Sequence, residues 1–183
     1  MFQKLIHWVI GKPQPTHYQL GNSQSCIFCG AYSTNRSDFD IVWEDQEFVA
    51  FRDIRPSAQQ HMQLIPKTHI ESIRKLSQKD VKMPQYLIWV QVRRMEEIGH
   101  SILDTFNVPV SKRKMGFHIP PFNSVLHLHL HVQALPYISP IYRLKYPFVR
   151  GFGGYEKGFS WFAEIGQAIR ILEKGHRVTV APC

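Results

Sequence analysis

The sequence predicts an α+β domain, an antiparallel sheet of about five strands with one main helix and a C-terminal helix. Three observations carry this. Short strand-like runs stand in neighbouring groups joined by turn residues, the pattern of antiparallel meanders. Only two stretches have helical periodicity. In Leu126-His127-Leu128-His129-Leu130-His131-Val132, aliphatic residues alternate strictly with histidines, which is the period of a strand.

The elements follow in order. Residues 1–25, with Gly11, Pro13, Pro15 and Gly21, read as a poorly ordered arm with a short helical turn over 2–10. Strands at 40–44 and 48–51 flank the turn-like Asp45-Gln46-Glu47 and form a hairpin, and a third strand at 61–65 ends at Pro66. Ser77-Gln78-Lys79-Asp80 resembles a capping box with Asp in place of Glu. Proline is tolerated only in a first helical turn, so Pro84 places the main helix at about 84–104, with Leu87, Val90, Ile98 and Ile102 on one face. Pro109 closes its exit loop, and a strand at 113–118, the Pro120-Pro121 loop and the histidine strand at 125–135 complete the sheet. Gly151-Phe152-Gly153-Gly154 is a flexible loop without dinucleotide-fingerprint spacing. Ser160 then caps a helix whose stripe is Phe162, Ile165, Ile169 and Leu172, stopped by Gly175. The organisation is an arm at 1–25, a domain at 26–136 and an extension at 137–183 that packs on it.

Composition narrows the function. A chain of 183 residues with 44% hydrophobic content is large enough for one domain with its own core. Three cysteines, two of them in a CxxC, argue against a disulfide framework. The apolar run Leu5–Ile10 is too short for a membrane span or a signal peptide, so the expectation is an intracellular protein, cytoplasmic and also nuclear, with no membrane partner. The net charge of +8 favours anionic ligands, but the basic residues are dispersed apart from Arg93-Arg94 and Lys112-Arg113-Lys114. A generally basic surface is therefore preferred over a nucleic-acid site.

In the histidine strand, His127, His129 and His131 share one face and the leucines share the other. The outer two histidines stand about 13 Å apart along a strand, too far for one metal ion to collect all three. Two neighbours could share an ion with ligands from elsewhere. The remaining use of the row is acid–base or nucleophilic chemistry, to which a group titrating near neutrality is suited.

The run His127–Gln133 resembles the HxHxHxx signature of the histidine triad (HIT) nucleotide-binding proteins. The string Met115-Gly116-Phe117-His118-Ile119-Pro120-Pro121-Phe122-Asn123-Ser124-Val125-Leu126-His127 resembles the third Hint branch and, more loosely, the aprataxin HIT domain. Cys26-Ile27-Phe28-Cys29, Phe51-Arg52-Asp53-Ile54-Arg55-Pro56 and Ile65-Pro66-Lys67-Thr68-His69-Ile70 match in the order the family requires, so the resemblance covers about residues 26–136.

The resemblance implies a HIT-like fold and a hydrolase that releases AMP from adenylylated substrates through a covalent histidine–AMP intermediate. By that resemblance His129 is the nucleophile and His127 holds the arrangement. His131 contacts the phosphate and helps protonate the leaving group. Ser124 contacts the phosphate, and His118 matches a histidine of aprataxin-type domains, although the loop that follows it is two residues longer here. Asp53 accepts from the ribose hydroxyls, and Ile27, Phe28, Phe51 and Ile54 enclose the purine base. Cys26, Cys29, His69 and His127 match a structural zinc set, for which the alternative is two reduced thiols without metal. No organic cofactor is expected. The resemblance also implies a homodimer through the main helix, where Trp89 lies, and an edge strand. Two other readings stand beside this one. A DNA 5′-adenylate hydrolase is favoured by the charge and by the likeness of Gly175–Val180 to the stretch after the aprataxin domain, and disfavoured because no second CxxC follows. A nucleotide-binding regulatory module is disfavoured by the intact triad.

Overall fold

A computed structural model describes residues 26–33, 35–76 and 85–183. The expected arm and its helical turn, the capping box at Ser77–Asp80 and the Pro84 helix start lie outside the described residues, as do the side chains of Leu87 and Trp89. The architecture is the expected α+β, with six strands in place of about five. They are β1 (Ile41–Glu44), β2 (Phe48–Arg52), β3 (Ala58–Pro66), β4 (Arg113–His118), β5 (Leu130–Tyr137) and β6 (Phe162–Glu164). All pairs are antiparallel, in the order β1-β2-β3-β5-β4-β6. Helix α1 (Gln85–Thr105) precedes β4, and α2 (Ile165–Glu173) follows β6. No helix among the described residues is long and apolar enough to cross a membrane.

The hairpin forms where expected. Asp45 Oδ1 accepts from the backbone N–H of Glu47 at 2.8 Å and of Phe48 at 2.7 Å, closing the turn between β1 and β2. Cross-strand partners share a face, so register divides the sheet into two surfaces. On one, Ala50 pairs with Leu64 and Met62 with Val132, and these residues form the main core with Met115, Phe117 and α1. On the other, Phe51 pairs with Gln63, Gln63 with His131, and His61 with Gln133. Among the described residues no long helix covers that second face, and it carries the polar residues.

Three expectations need correction. The histidine strand starts at Leu130, not at 125, and Leu126 is 63% exposed instead of filling the core. Residues 121–127 run through turns and bends, and the sheet-like pairing resumes only with the bond from Leu128 N–H to Ile70 O. On α1 the buried face is Val92, Met95, Ile98 and Ile102, while Val90 is 42% exposed. Gly99 belongs to that face, since a Cβ there would lie 2.6 Å from Met115 Sδ, so glycine lets the helix approach β4.

The third correction concerns the C-terminal part. Phe162 belongs to β6, not to the helix, and Ser160 bonds the carbonyl of Phe162 at 2.8 Å instead of capping. Glu164 is the N-cap of α2, and it makes a reciprocal capping box with Gln167. Ile165, Ile169 and Leu172 are buried as expected, and Gly175 ends the helix at a φ of 73°. β6 pairs with β4 because Gly116 has no side chain; a Cβ there would lie 2.4 Å from the Ala163 carbonyl and 2.5 Å from the Phe162 ring. Gly153 and Gly154, at φ of 58° and 92°, turn the loop whose ends meet in an Arg150–Lys157 bridge. Between β5 and β6 the chain passes through a short 3-10 helix, Pro140–Leu144.

Candidate active site

His129 lies just before β5 with its ring turned to the polar face, 5% exposed. Its Nδ1 lies 2.6 Å from the carbonyl oxygen of His127. A carbonyl can only accept, so Nδ1 carries the proton and Nε2 keeps a lone pair. Burial is the main cause that lowers the His129 pKa, opposed by the His127 carbonyl and Asp53. The ring is therefore neutral near pH 7 and presents a nucleophilic nitrogen.

Beside it three imidazoles are joined in series, and the two backbone groups at the ends fix every proton. The Ser57 N–H, which can only donate, reaches His61 Nδ1 at 3.2 Å. Neutral His61 must then carry its hydrogen on Nε2 and donate it to His131 Nδ1 at 2.9 Å. His131 Nε2–H donates to His118 Nδ1 at 2.9 Å, and His118 Nε2–H donates to the Lys145 carbonyl at 2.9 Å. Burial is the largest cause that pushes His61 and His118 down to about 4, and it holds His131 well below the ordinary value. Gln133 Nε2 braces the start of the series by donating to Ser57 Oγ at 2.7 Å.

Asp53 adjoins the same series. Its Oδ1 accepts from Arg55 N–H at 2.8 Å and its Oδ2 from Gln63 Nε2 at 2.7 Å. Oδ2 is also 3.4 Å from His61 Nε2 and 3.9 Å from His131 Nδ1, with the side chain only 9% exposed. Of the expected base-enclosing residues, Phe28 and Phe51 are buried edge to face, and Phe28 packs edge-on against His129 at 5.5 Å. Ile27 and Ile54 stand exposed. Ser124 is exposed as well. The hollow at His129 is bounded by Ser72, Asn123 and His118.

His61, Ser72 and Asn123 were missed in the sequence. A histidine set just before Met62, Leu64 and Ile65 in a predicted strand was the available signal for His61. Ser72 and Asn123 stand in loops with no pattern to mark them.

A second cluster lies behind the nucleophile. His127 Nε2 donates to the Pro66 carbonyl at 2.9 Å, which leaves the lone pair on Nδ1. That atom is 3.4 Å from Cys26 Sγ and 3.6 Å from Cys29 Sγ, and His69 Nδ1 is 3.3 Å from Cys29 Sγ. All four donor atoms lie within 4.8 Å of one another. Zinc bonds of about 2.3 Å to sulfur and about 2.05 Å to nitrogen at a tetrahedral angle set an S···N edge of roughly 3.5 Å. The donor set thus fits zinc in chemistry and in spacing. Burial raises the Cys29 pKa, so a thiolate there calls for a cation.

Fold and site together define a histidine triad protein. Residues 25–145 match the family model described as "Scavenger mRNA decapping enzyme C-term binding". The chain is 39% identical over 135 residues to the bifunctional adenosine 5′-phosphosulfate phosphorylase/adenylylsulfatase HINT4 of Arabidopsis thaliana, covering 74% of this chain and 87% of the relative. It is 37% identical over 153 residues to the adenosine 5′-monophosphoramidase HINT3 of Danio rerio, covering 83% and 84%. A solved histidine triad protein from Clostridium difficile shares the fold with a TM-score of 0.51 and 22% identity, covering 66% of this chain and 97% of that one. The chain belongs to the histidine triad superfamily, and its resemblance to the third Hint branch holds.

The buried histidines make stability depend on pH. His61 and His118 titrate at about 4 when folded and near 6.5 when unfolded, so between these values the unfolded chain binds more protons. Their contribution is complete above the unfolded value and is lost as pH falls through the folded one. Thermal unfolding from pH 7 down to pH 4 should give a melting temperature that drops throughout that window; a flat profile contradicts the neutral series.

Proposed function

We propose that this protein is a nucleotide hydrolase that releases AMP from adenylylated substrates, cleaving a phosphorus–nitrogen or phosphoanhydride bond through an AMP covalently held on His129. The observation that carries this reading is the His129 Nδ1–H bond to the His127 carbonyl, which leaves Nε2 as a buried, neutral lone pair. The relatives named as an adenosine 5′-monophosphoramidase and an adenylylsulfatase support it.

In this reading Nε2 attacks the α-phosphorus, a phosphorus–nitrogen bond to the ring forms, and the bond to the leaving group breaks. An anionic phosphate beside His118 and His131 offsets the burial that keeps the series neutral, so the series takes up one proton from solvent when substrate binds. A leaving amine departs with that proton. Water then attacks the phosphorus and returns a proton to the series, and AMP leaves Nε2. A carboxylate has more lone pairs than Asp53 uses for Arg55 and Gln63, which supports its assignment to the ribose hydroxyls of a purine nucleotide. Phe28 and Phe51 supply the apolar side of the pocket.

Cys26, Cys29, His69 and His127 are proposed to hold one zinc ion, which would act as a structural cross-link between the N-terminal CxxC and the start of the histidine segment. A homodimer through α1 and an edge strand is part of the same proposal, supported by the exposed Val90 on the outer side of α1.

His129→Ala should lower AMP release from adenosine 5′-phosphoramidate by about a thousandfold or more, with AMP affinity kept within about tenfold, or about 1.4 kcal/mol. Rapid-quench and mass spectrometry of the native protein should trap AMP on a histidine; near-native turnover in the variant contradicts the mechanism.

For the metal, elemental analysis should find one zinc per chain. Cys29→Ser should lose it and melt at lower temperature while keeping more activity than His129→Ala. Metal-free native protein of unchanged stability contradicts the site.

A further inference from the structure

The segment that closes the histidine series lies at the very end of the residues that match the family model, which stop at 145. Lys145 supplies the carbonyl that accepts from His118. The next residue, Tyr146, is 3% exposed. Its ring stands 5.9 Å from His61, 5.3 Å from His131 and 5.1 Å from His118, centroid to centroid, so it touches every imidazole of the series. Tyr137 stacks on its other side at 5.8 Å, and Phe162 of β6 meets it at 5.4 Å. Its hydroxyl is at the side chains of Ser57 and Gln133, which brace the start of the series. One side chain thus spans the series from its start to its last ring.

We propose that Tyr146 is a positioning residue for the reaction, holding His61, His131 and His118 in the one set of ring orientations that lets a proton pass along them. The proposal rests on the AMP-releasing reading given above. The physical need for such a residue is specific. Each imidazole is held through two ring nitrogens, and rotation of any one about its χ2 breaks both of its bonds and scrambles the proton order. Hydrogen bonds fix the nitrogens but leave each ring plane able to tilt about the line through them. A flat aromatic wall packed at 49° to 90° against the three rings opposes that tilt. Tyr146 meets no reacting atom in this account. Its effect on rate is carried by the imidazoles.

This predicts a dependence on the leaving group that a loss of stability cannot mimic. An amine leaves only with a proton, whereas sulfate leaves as a stable anion without one. The experiment compares AMP release from adenosine 5′-phosphoramidate and from adenosine 5′-phosphosulfate in the native chain, Tyr146→Leu and Tyr146→Phe. Leucine keeps an apolar filler but removes the flat ring; phenylalanine restores the ring. Tyr146→Leu should lower kcat on the phosphoramidate by about a hundredfold, the usual size of a general-acid contribution, and lower it far less on the phosphosulfate. Tyr146→Phe should recover most of the native ratio between the two substrates. Equal losses on both substrates in Tyr146→Leu, or no loss on either, overturn the positioning role while leaving the AMP-releasing reading intact. A native protein that releases AMP from neither substrate overturns that reading, and this inference with it.

Discussion

Packing five imidazoles onto one sheet face is tolerable only because every ring has a defined hydrogen-bonding order. His61, His118, His127, His129 and His131 are all desolvated, and burial opposes a charge on each. What remains is to decide which nitrogen carries the proton. Backbone groups decide it, because a carbonyl cannot donate and an N–H cannot accept. The carbonyls of Pro66, His127 and Lys145 and the N–H of Ser57 settle the tautomers of all five rings. Consequently His127 turns its lone pair to the cysteines, His129 turns its lone pair to the hollow, and the other three rings form an ordered series.

That arrangement requires a sheet with unequal faces. Leu128, Leu130 and Val132 anchor the histidine segment in the main core, against the strand neighbours that α1 covers. The opposite face is free for polar groups because, among the described residues, those covering it are short segments: the CxxC turn with Phe28 on one side, and the stretch around Tyr146 on the other. Both segments reach the histidines from outside the central strands. The first brings thiols to His127, and the second brings a carbonyl and an aromatic wall to His118 and His131. The two histidine groups stay distinct because His129 stands between them with its own carbonyl partner.

Much of this was legible in the sequence because strand periodicity is local. The β1–β2 hairpin, β3, α1 and β4 fall near their expected places, and the alternation of Leu and His announced one core face and one reactive face. The same logic fails where tertiary pairing decides. Phe162 has a helical spacing to Ile165 and Ile169, yet it joins β4 because Gly116 leaves room for it. Leu126 continues the leucine alternation, yet it is exposed because the strand pairing has not begun. At the site, the four metal-type ligands Cys26, Cys29, His69 and His127 are brought together from three segments, as the resemblance implied. Ser124 and Ile54, taken from the same motifs, stand exposed, and the polar edge of the hollow comes from Ser72 and Asn123 instead. His61 was hidden because its importance lies in what it meets across two strands. Tyr146 was hidden because it follows a Pro-containing loop of no recognisable pattern.

The central claim is that backbone partners fix the nucleophile as a neutral ring with Nε2 unprotonated. Nitrogen-15 NMR of the histidine-labelled protein, with His129 assigned by its absence in His129→Ala, reads this directly. The account expects His129 to show a protonated Nδ1 and a lone-pair Nε2 at pH 7. A resonance pattern with the proton on Nε2, or an imidazolium at that pH, contradicts it.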